Sequence, residues 1–143
     1  MTGDPFLTVA ASRCAEAEAA ISGGLADYNR EVFGRVDSET LDVLVRDDNS
    51  GAVVGGLLGH TSLGLLFLDL FYLPHDVRRS GLGGRIIALA EQEGRRRGCT
   101  AAFVYTVTFQ APGFYERHGY RRFGEIGCPP DGATRIFLAK PLV

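Results

Sequence analysis

The stretch Leu65-Leu66-Phe67-Leu68-Asp69-Leu70-Phe71-Tyr72-Leu73, closed by Pro74, is apolar at both parities and carries a single charge, Asp69. Apolar residues pointing both ways predict a strand covered on both sides, hence a central strand. Arg78-Arg79-Ser80-Gly81-Leu82-Gly83-Gly84 follows, and then Arg85-Ile86-Ile87-Ala88-Leu89-Ala90-Glu91, so a basic glycine turn opens a helix. The glycines allow positive φ and let backbone N–H groups converge with no Cβ in the way. Free N–H groups and the macrodipole at a helix start favour an anion, and two arginines add charge, which together describe a phosphate cradle. A plain connection whose glycines only make the turn fits the same residues. The two best-known phosphate loops do not. Gly84-Arg85-Ile86 lacks the Gly-Lys-Ser/Thr of a Walker loop, and Ile86 stands where the dinucleotide fingerprint needs its third glycine.

The 143 residues are of a size for one domain with a sizeable core. A formal charge of −2 gives no global attraction to nucleic acid or to an anionic membrane, so neither is expected as a partner. Arg95-Arg96-Arg97 is a second basic cluster, but it ends a helix, where cations offset the dipole. Cys14, Cys99 and Cys128 are widely spaced and odd in number, which points to a reducing compartment. His60, His75 and His118 show no metal-ligand spacing with them, and no metal is implied. No basic-then-apolar leader is seen, and no apolar run reaches the ~20 residues of a membrane helix. A cytoplasmic protein is the expectation.

Phe6 to Ala11 reads as a first strand, and Ser12 as the cap of a helix from Arg13 that Gly23-Gly24 kink or split. Leu41 to Arg46 alternates with period two; Asp47-Asp48-Asn49-Ser50-Gly51 is turn chemistry, and Ala52 to His60 is the return strand. Gly55-Gly56 within it predict a bulge or a close neighbour. The helix from about Leu82 to Arg97 stops at Gly98, and Thr100 to Val107 is a strand that the crossover rule makes parallel to the central one. A short helix over Ala111 to His118 and a closing hairpin, Tyr120 to Ile126 with Thr134 to Leu138, complete an α/β chain.

Two motifs in register carry a resemblance. Arg78-Arg79-Ser80-Gly81-Leu82-Gly83 fits R/Q-x-x-G-x-G/A, and Ala111-Pro112-Gly113-Phe114-Tyr115-Glu116-Arg117-His118-Gly119-Tyr120 is similar to A-x-x-F-Y-x-x-x-G-F/Y. In this order, with a helix and a strand between them, they resemble the general-control-type N-acetyltransferase (GNAT) superfamily over roughly Leu41 to Leu142. The resemblance implies a mixed, mostly antiparallel sheet of about 6–7 strands with helices on both faces and a V-shaped splay between the central strands. It implies acetyl-CoA as donor and a primary amine as acceptor, and a compact single domain with no obvious peptide-docking extension makes a small molecule the expected acceptor. Pantetheine contacts then fall at Leu70, Phe71, Tyr72 and Leu73, as for an added strand. An N–H of Leu70 or Phe71 polarises the thioester carbonyl. Pyrophosphate contacts fall on Arg78, Arg79, Ser80, Gly81, Leu82, Gly83 and Gly84, and further cofactor contacts on Thr108, Ala111 and Tyr115. Thr108 stands where the family often has Asn, a departure that removes a two-sided amide contact; Gln110 is a nearby substitute.

Tyr115 occupies the position of the family's acid to the departing thiolate; a core aromatic beside Phe114 is the structural alternative. Asp69 is the candidate base, against an ion pair or a substrate anchor. Tyr72 and Tyr105 are relay candidates or plain core, and Cys99 reads as buried filler. Tyr28, Asn29 and Arg30 fall where family members wall the acceptor pocket, against an ordinary solvated helix face. Family members frequently pair through strands near the C-terminus, which makes a homodimer the expectation. A catalytically degenerate acetyl-CoA binder, acting as sensor or scaffold, is the competing function, and a nucleotide-binding module using the same loop is another.

Overall fold

A computed structural model describes residues 3, 5–78, 80–129 and 131–143. The chain forms two compact units, residues 1–36 and 37–143.

In the first unit α1 spans Ala15–Phe33 without interruption. Three expectations are corrected here. The helix starts after Cys14, whose Sγ accepts the Ala17 N–H at 3.4 Å, so Cys14 and not Ser12 is the cap. Gly23 and Gly24 do not split it: each glycine weakens a helix by only about 1 kcal/mol, and the helix runs on to Gly34. Gly34 ends the helix in the left-handed region, φ 79°, donating to the Arg30 carbonyl. Phe6 to Ala11 has strand-like composition, yet makes no ladder; composition alone does not create a strand without a pairing edge.

The second unit is a six-stranded sheet in the order β1-β2-β3-β4-β6-β5. Its strands are β1 Glu39–Arg46, β2 Val53–Ser62, β3 Leu65–Tyr72, β4 Ala101–Val107, β5 Arg121–Cys128 and β6 Ala133–Pro141. β3 and β4 run parallel, and every other neighbouring pair is antiparallel. The β1–β2 turn forms as its chemistry dictates. Asp47 Oδ1 accepts the Asn49 N–H at 2.8 Å, and Gly51 takes φ 72°. Gly56 is required by close approach, since a Cβ there would run into the Val43 carbonyl oxygen. The ladder also shifts register between Val45 and Arg46, so both readings of the glycine pair hold.

Helix α2, Leu82–Arg96, lies on the face of the sheet that carries Leu66 and Leu68. Its buried stripe is Ile86, Ile87, Ala90, Glu91 and Gly94, the spacing of one helical face. Gly94 lets the helix close on Leu66: a Cβ there would sit 3.2 Å from Leu66 Cδ2. Leu57, Leu66, Ile87, Ile136 and Leu138 are fully enclosed in this core, and each such side chain stabilises by about 1.5–3 kcal/mol. Helix α3, Pro112–Arg117, follows β4. Among the described residues no helix is long and apolar enough to cross a membrane.

Candidate active site

β3 and β4 are paired only from Leu65↔Ala101 to Leu68↔Val104. Beyond that point β3 stays with β2 as far as Tyr72, and β4 stays with β6 as far as Val107. The central strands therefore part. The cause lies in β3, where Leu68 faces Gly59 and Leu70 faces Leu58, leaving Asp69 as an extra residue with no opposite number. The bulge also shifts the side-chain parity. Leu66 and Leu68 enter the core before it, whereas Phe71 and Leu73 do so after it, with Leu70 and Tyr72 exposed. Leu70 to Tyr72 thus have ladder partners on one side only, and from Asp69 onward the strand has an open edge able to pair with an extended amide chain.

The glycine turn follows directly. Arg78 folds back, its Nε donating to the Leu73 carbonyl at 2.8 Å and its guanidinium lying 5.8 Å from the Tyr72 ring centre. Ser80 Oγ donates to the Val77 carbonyl at 2.6 Å. Arg79 lies outside the described residues. Gly81 takes φ 80° and no side chain caps α2; its first backbone bond runs from Arg85 N–H to the Gly81 carbonyl. The N–H groups of Leu82, Gly83 and Gly84 therefore have no acceptor within the helix.

The later glycines have a packing reason beside the one their spacing suggests. Only Gly81 needs positive φ. A Cβ on Gly83 would come 2.9 Å from Phe114 Cε1, and one on Gly84 would come 2.9 Å from His118 Cε1. They are small because α3 packs against the first turn of α2. Gly83→Ala should displace Phe114, destabilise the fold by about 1–3 kcal/mol and disturb the neighbouring Tyr115. Urea unfolding beside an acetyl-CoA titration checks both effects.

Tyr115 is 7% exposed. Its ring meets Tyr120 edge-on at 5.9 Å, and Gly119 at φ 93° turns the chain so that the Tyr120 N–H reaches the Tyr115 carbonyl. No described group hydrogen-bonds its hydroxyl, and no buried side-chain oxygen or nitrogen among the described residues lacks a partner. Burial pushes the phenol up from 10.0 to about 12, which keeps the proton on oxygen at any ordinary pH. Burial and the Glu91 carboxylate push Tyr120 up as well. Because the folded value lies above the unfolded one, this contribution to stability is complete below pH ~10 and is lost as pH rises towards 12. Urea midpoints should therefore fall between pH 10 and 12, and Tyr115→Phe should flatten part of that fall.

The other predicted residues are placed as follows. Thr108 Oγ1 accepts the Thr134 N–H at 3.1 Å and so closes the end of the β4–β6 ladder. Gln110 Oε1 accepts from Thr106 Oγ1 at 3.0 Å, and Ala111 is the exposed residue preceding α3. Tyr72 and Tyr105 are exposed and not core; Tyr105 lies under the Arg135 guanidinium, 5.7 Å from its ring centre. Tyr28, Asn29 and Arg30 lie on α1 in the first unit, with Arg30 bonded to Asp27 at 3.0 Å. Cys99 is buried, and burial pushes its thiol up, the wrong direction for a nucleophile. Among the described residues no three metal-ligating side chains gather. A groove of about 730 Å³ between β1 and α2 is lined by residues such as Leu41, Val43, Leu89 and Glu93, and none of the parting's residues contributes to it.

One pairing was not anticipated. Asp69 Oδ2 lies 2.6 Å from His60 Nδ1, and the His60 ring is stacked on Phe67 at 4.6 Å and 5°. The sequence did hold a signal for it. The two-residue turn Leu63-Gly64, at φ 48° and 83°, sets His60 opposite Phe67 and so places Asp69 diagonally on the same face.

The parting of the parallel strands β3 and β4 is the splay that the resemblance implies. The family described as "Acetyltransferase (GNAT) domain" matches residues 39–122, and the chain belongs to it. It is 38% identical to Acetyltransferase Atu2258 of Agrobacterium fabrum over 126 residues, 88% of this chain and 91% of that protein. With Blasticidin-S acetyltransferase of Streptomyces morookaense it shares 44% over 93 residues, 64% of this chain and 68% of that one. A crystal structure of an Agrobacterium tumefaciens protein assigned as an acetyltransferase superposes with a TM-score of 0.86 at 35% identity, covering 96% and 99% of the two chains. The fold expectation and the acetyl-transferring activity are thus established, and members of the family use acetyl-CoA.

Proposed function

We propose that this enzyme moves acetyl from acetyl-CoA to the primary amine of a small molecule, with both substrates bound at once. The observation that carries the reading is the open edge of β3 from Asp69 to Tyr72, set beside the uncapped N–H groups of Leu82, Gly83 and Gly84. An extended amide arm fits the edge, and a pyrophosphate fits the turn. Acetyl-CoA supplies an activated thioester; the chain supplies position and protons. Leu70 and Phe71 carry the backbone N–H groups nearest the bulge, suited to an oxygen that gains negative charge. Arg78 adds positive charge at the turn while its Nε stays on the Leu73 carbonyl. Tyr115 holds its proton at the phenolic oxygen for a departing thiolate, and Asp69 belongs to the proton-accepting side.

The likeness to blasticidin-S acetyltransferase supports a small-molecule acceptor. A thiol-release assay with acetyl-CoA against aminoglycosides, blasticidin S, polyamines and amino acids tests the reading. Release that depends on one amine class supports it. Tight acetyl-CoA binding with no release from any amine would favour a binder acting as sensor or scaffold instead.

A further inference from the structure

We propose that His60 is the group that takes the proton from the acceptor amine, and that Asp69 acts through it as a positioning residue. The inference rests on the acetyl-transfer reading above and assigns its base. An ionised carboxylate can only accept hydrogen bonds, so the 2.6 Å contact with Asp69 puts a hydrogen on His60 Nδ1. In the neutral ring the lone pair is then left on Nε2, an acceptor of fixed direction. The ring is held flat against Phe67, so it does not turn freely.

Stability does not explain the pair. Its side chains are 38% and 47% exposed, and exposed ion pairs contribute little to stability. Its place does explain it. Asp69 is the bulged residue at which β3 leaves β4, and His60 sits across from it on the face opposite α2. Asp42 shares that side of the ladder, but its Oδ1 is taken by the Gly59 N–H at 3.2 Å.

The reaction balances with these groups. The amine nitrogen bonds to the acetyl carbon as the carbon–sulfur bond breaks, and the extra proton on nitrogen passes to His60 Nε2. The sulfur leaves with its electron pair and takes the proton of Tyr115, after which solvent returns a proton from His60 to Tyr115.

The test compares wild type, His60→Ala and Asp69→Asn in amine-dependent thiol release, with acetyl-CoA affinity measured by calorimetry. His60→Ala should lower kcat about 10²-fold with acetyl-CoA affinity unchanged, and added imidazole should restore several-fold of it. Asp69→Asn should lower kcat less. Nitrogen-15 spectra of the resting wild-type protein should show the His60 proton on Nδ1, and Asp69→Asn should shift that signal. An Nε2–H tautomer, or a His60→Ala enzyme within twofold of wild type, would overturn the assignment and leave acetyl transfer intact. Loss in His60→Ala that imidazole does not restore, with a greater loss in Asp69→Asn, would make Asp69 itself the acceptor. A wild-type protein that releases no thiol with any amine would strike the acetyl-transfer reading first.

Discussion

Tyr115→Phe should lower kcat about 10²-fold while leaving acetyl-CoA affinity and folding close to wild type. The substitution removes one oxygen whose protein partners number none among the described residues, and keeps the ring that packs on Tyr120 and Phe114. A core aromatic would behave differently: its hydroxyl would be dispensable and kcat unchanged. The size of the loss follows from the role proposed for the phenol. A thiolate leaving without a proton source must be protonated by water that is not positioned for it, and general acid catalysis is typically worth 10²–10⁴-fold. Steady-state kinetics with calorimetry of acetyl-CoA binding separate the two cases.

The largest effect on stability is expected at Glu91. Its carboxylate is 5% exposed on the inner stripe of α2 and accepts from Tyr120 hydroxyl at 2.8 Å and from Lys140 Nζ at 2.9 Å. Two distant elements, the chain entering β5 and the end of β6, are thereby fastened to the helix that starts at the glycine turn. Glu91→Ala leaves the Lys140 ammonium and the Tyr120 hydroxyl without their acceptor and opens a cavity. Breaking a buried pair on one side costs about 3–5 kcal/mol. Lys140→Met combined with Glu91→Leu and Tyr120→Phe removes the charges and the stranded hydroxyl at similar volume and should recover most of that loss. Urea unfolding of the three proteins measures it; a single variant within 1 kcal/mol of wild type would contradict the buried role.

Much of this architecture was legible because its signals are local. The apolar run at Leu65 to Leu73 marked the central strand, the glycine turn marked the start of α2, and a helical crossover made β4 parallel. What escaped depended on register between distant residues. The β3 bulge is a mismatch of one residue between two strands, and neither strand shows it alone. The His60–Asp69 contact depends on that register and on the turn at Leu63-Gly64. Glu91 stands on an apolar helical stripe, a visible anomaly, but its partners come from Tyr120 and Lys140 far along the chain. Gly83 and Gly84 looked like phosphate-loop residues, and the packing of Phe114 and His118 against them is a tertiary fact. At the N-terminus the misjudgement was of another kind. Composition at Phe6 to Ala11 favoured a strand and Gly23-Gly24 a break, whereas pairing edges and ladder continuity decide both.

Calorimetric titration of the wild-type protein with acetyl-CoA, beside ATP and NAD at the same concentrations, tests most directly whether the parting of β3 from β4 and the glycine turn together hold acetyl-CoA. Saturable binding of acetyl-CoA that ATP and NAD do not match is the predicted result, because the pantetheine arm adds contacts along Asp69 to Tyr72. Absence of acetyl-CoA binding, or equal affinity for all three, would contradict it.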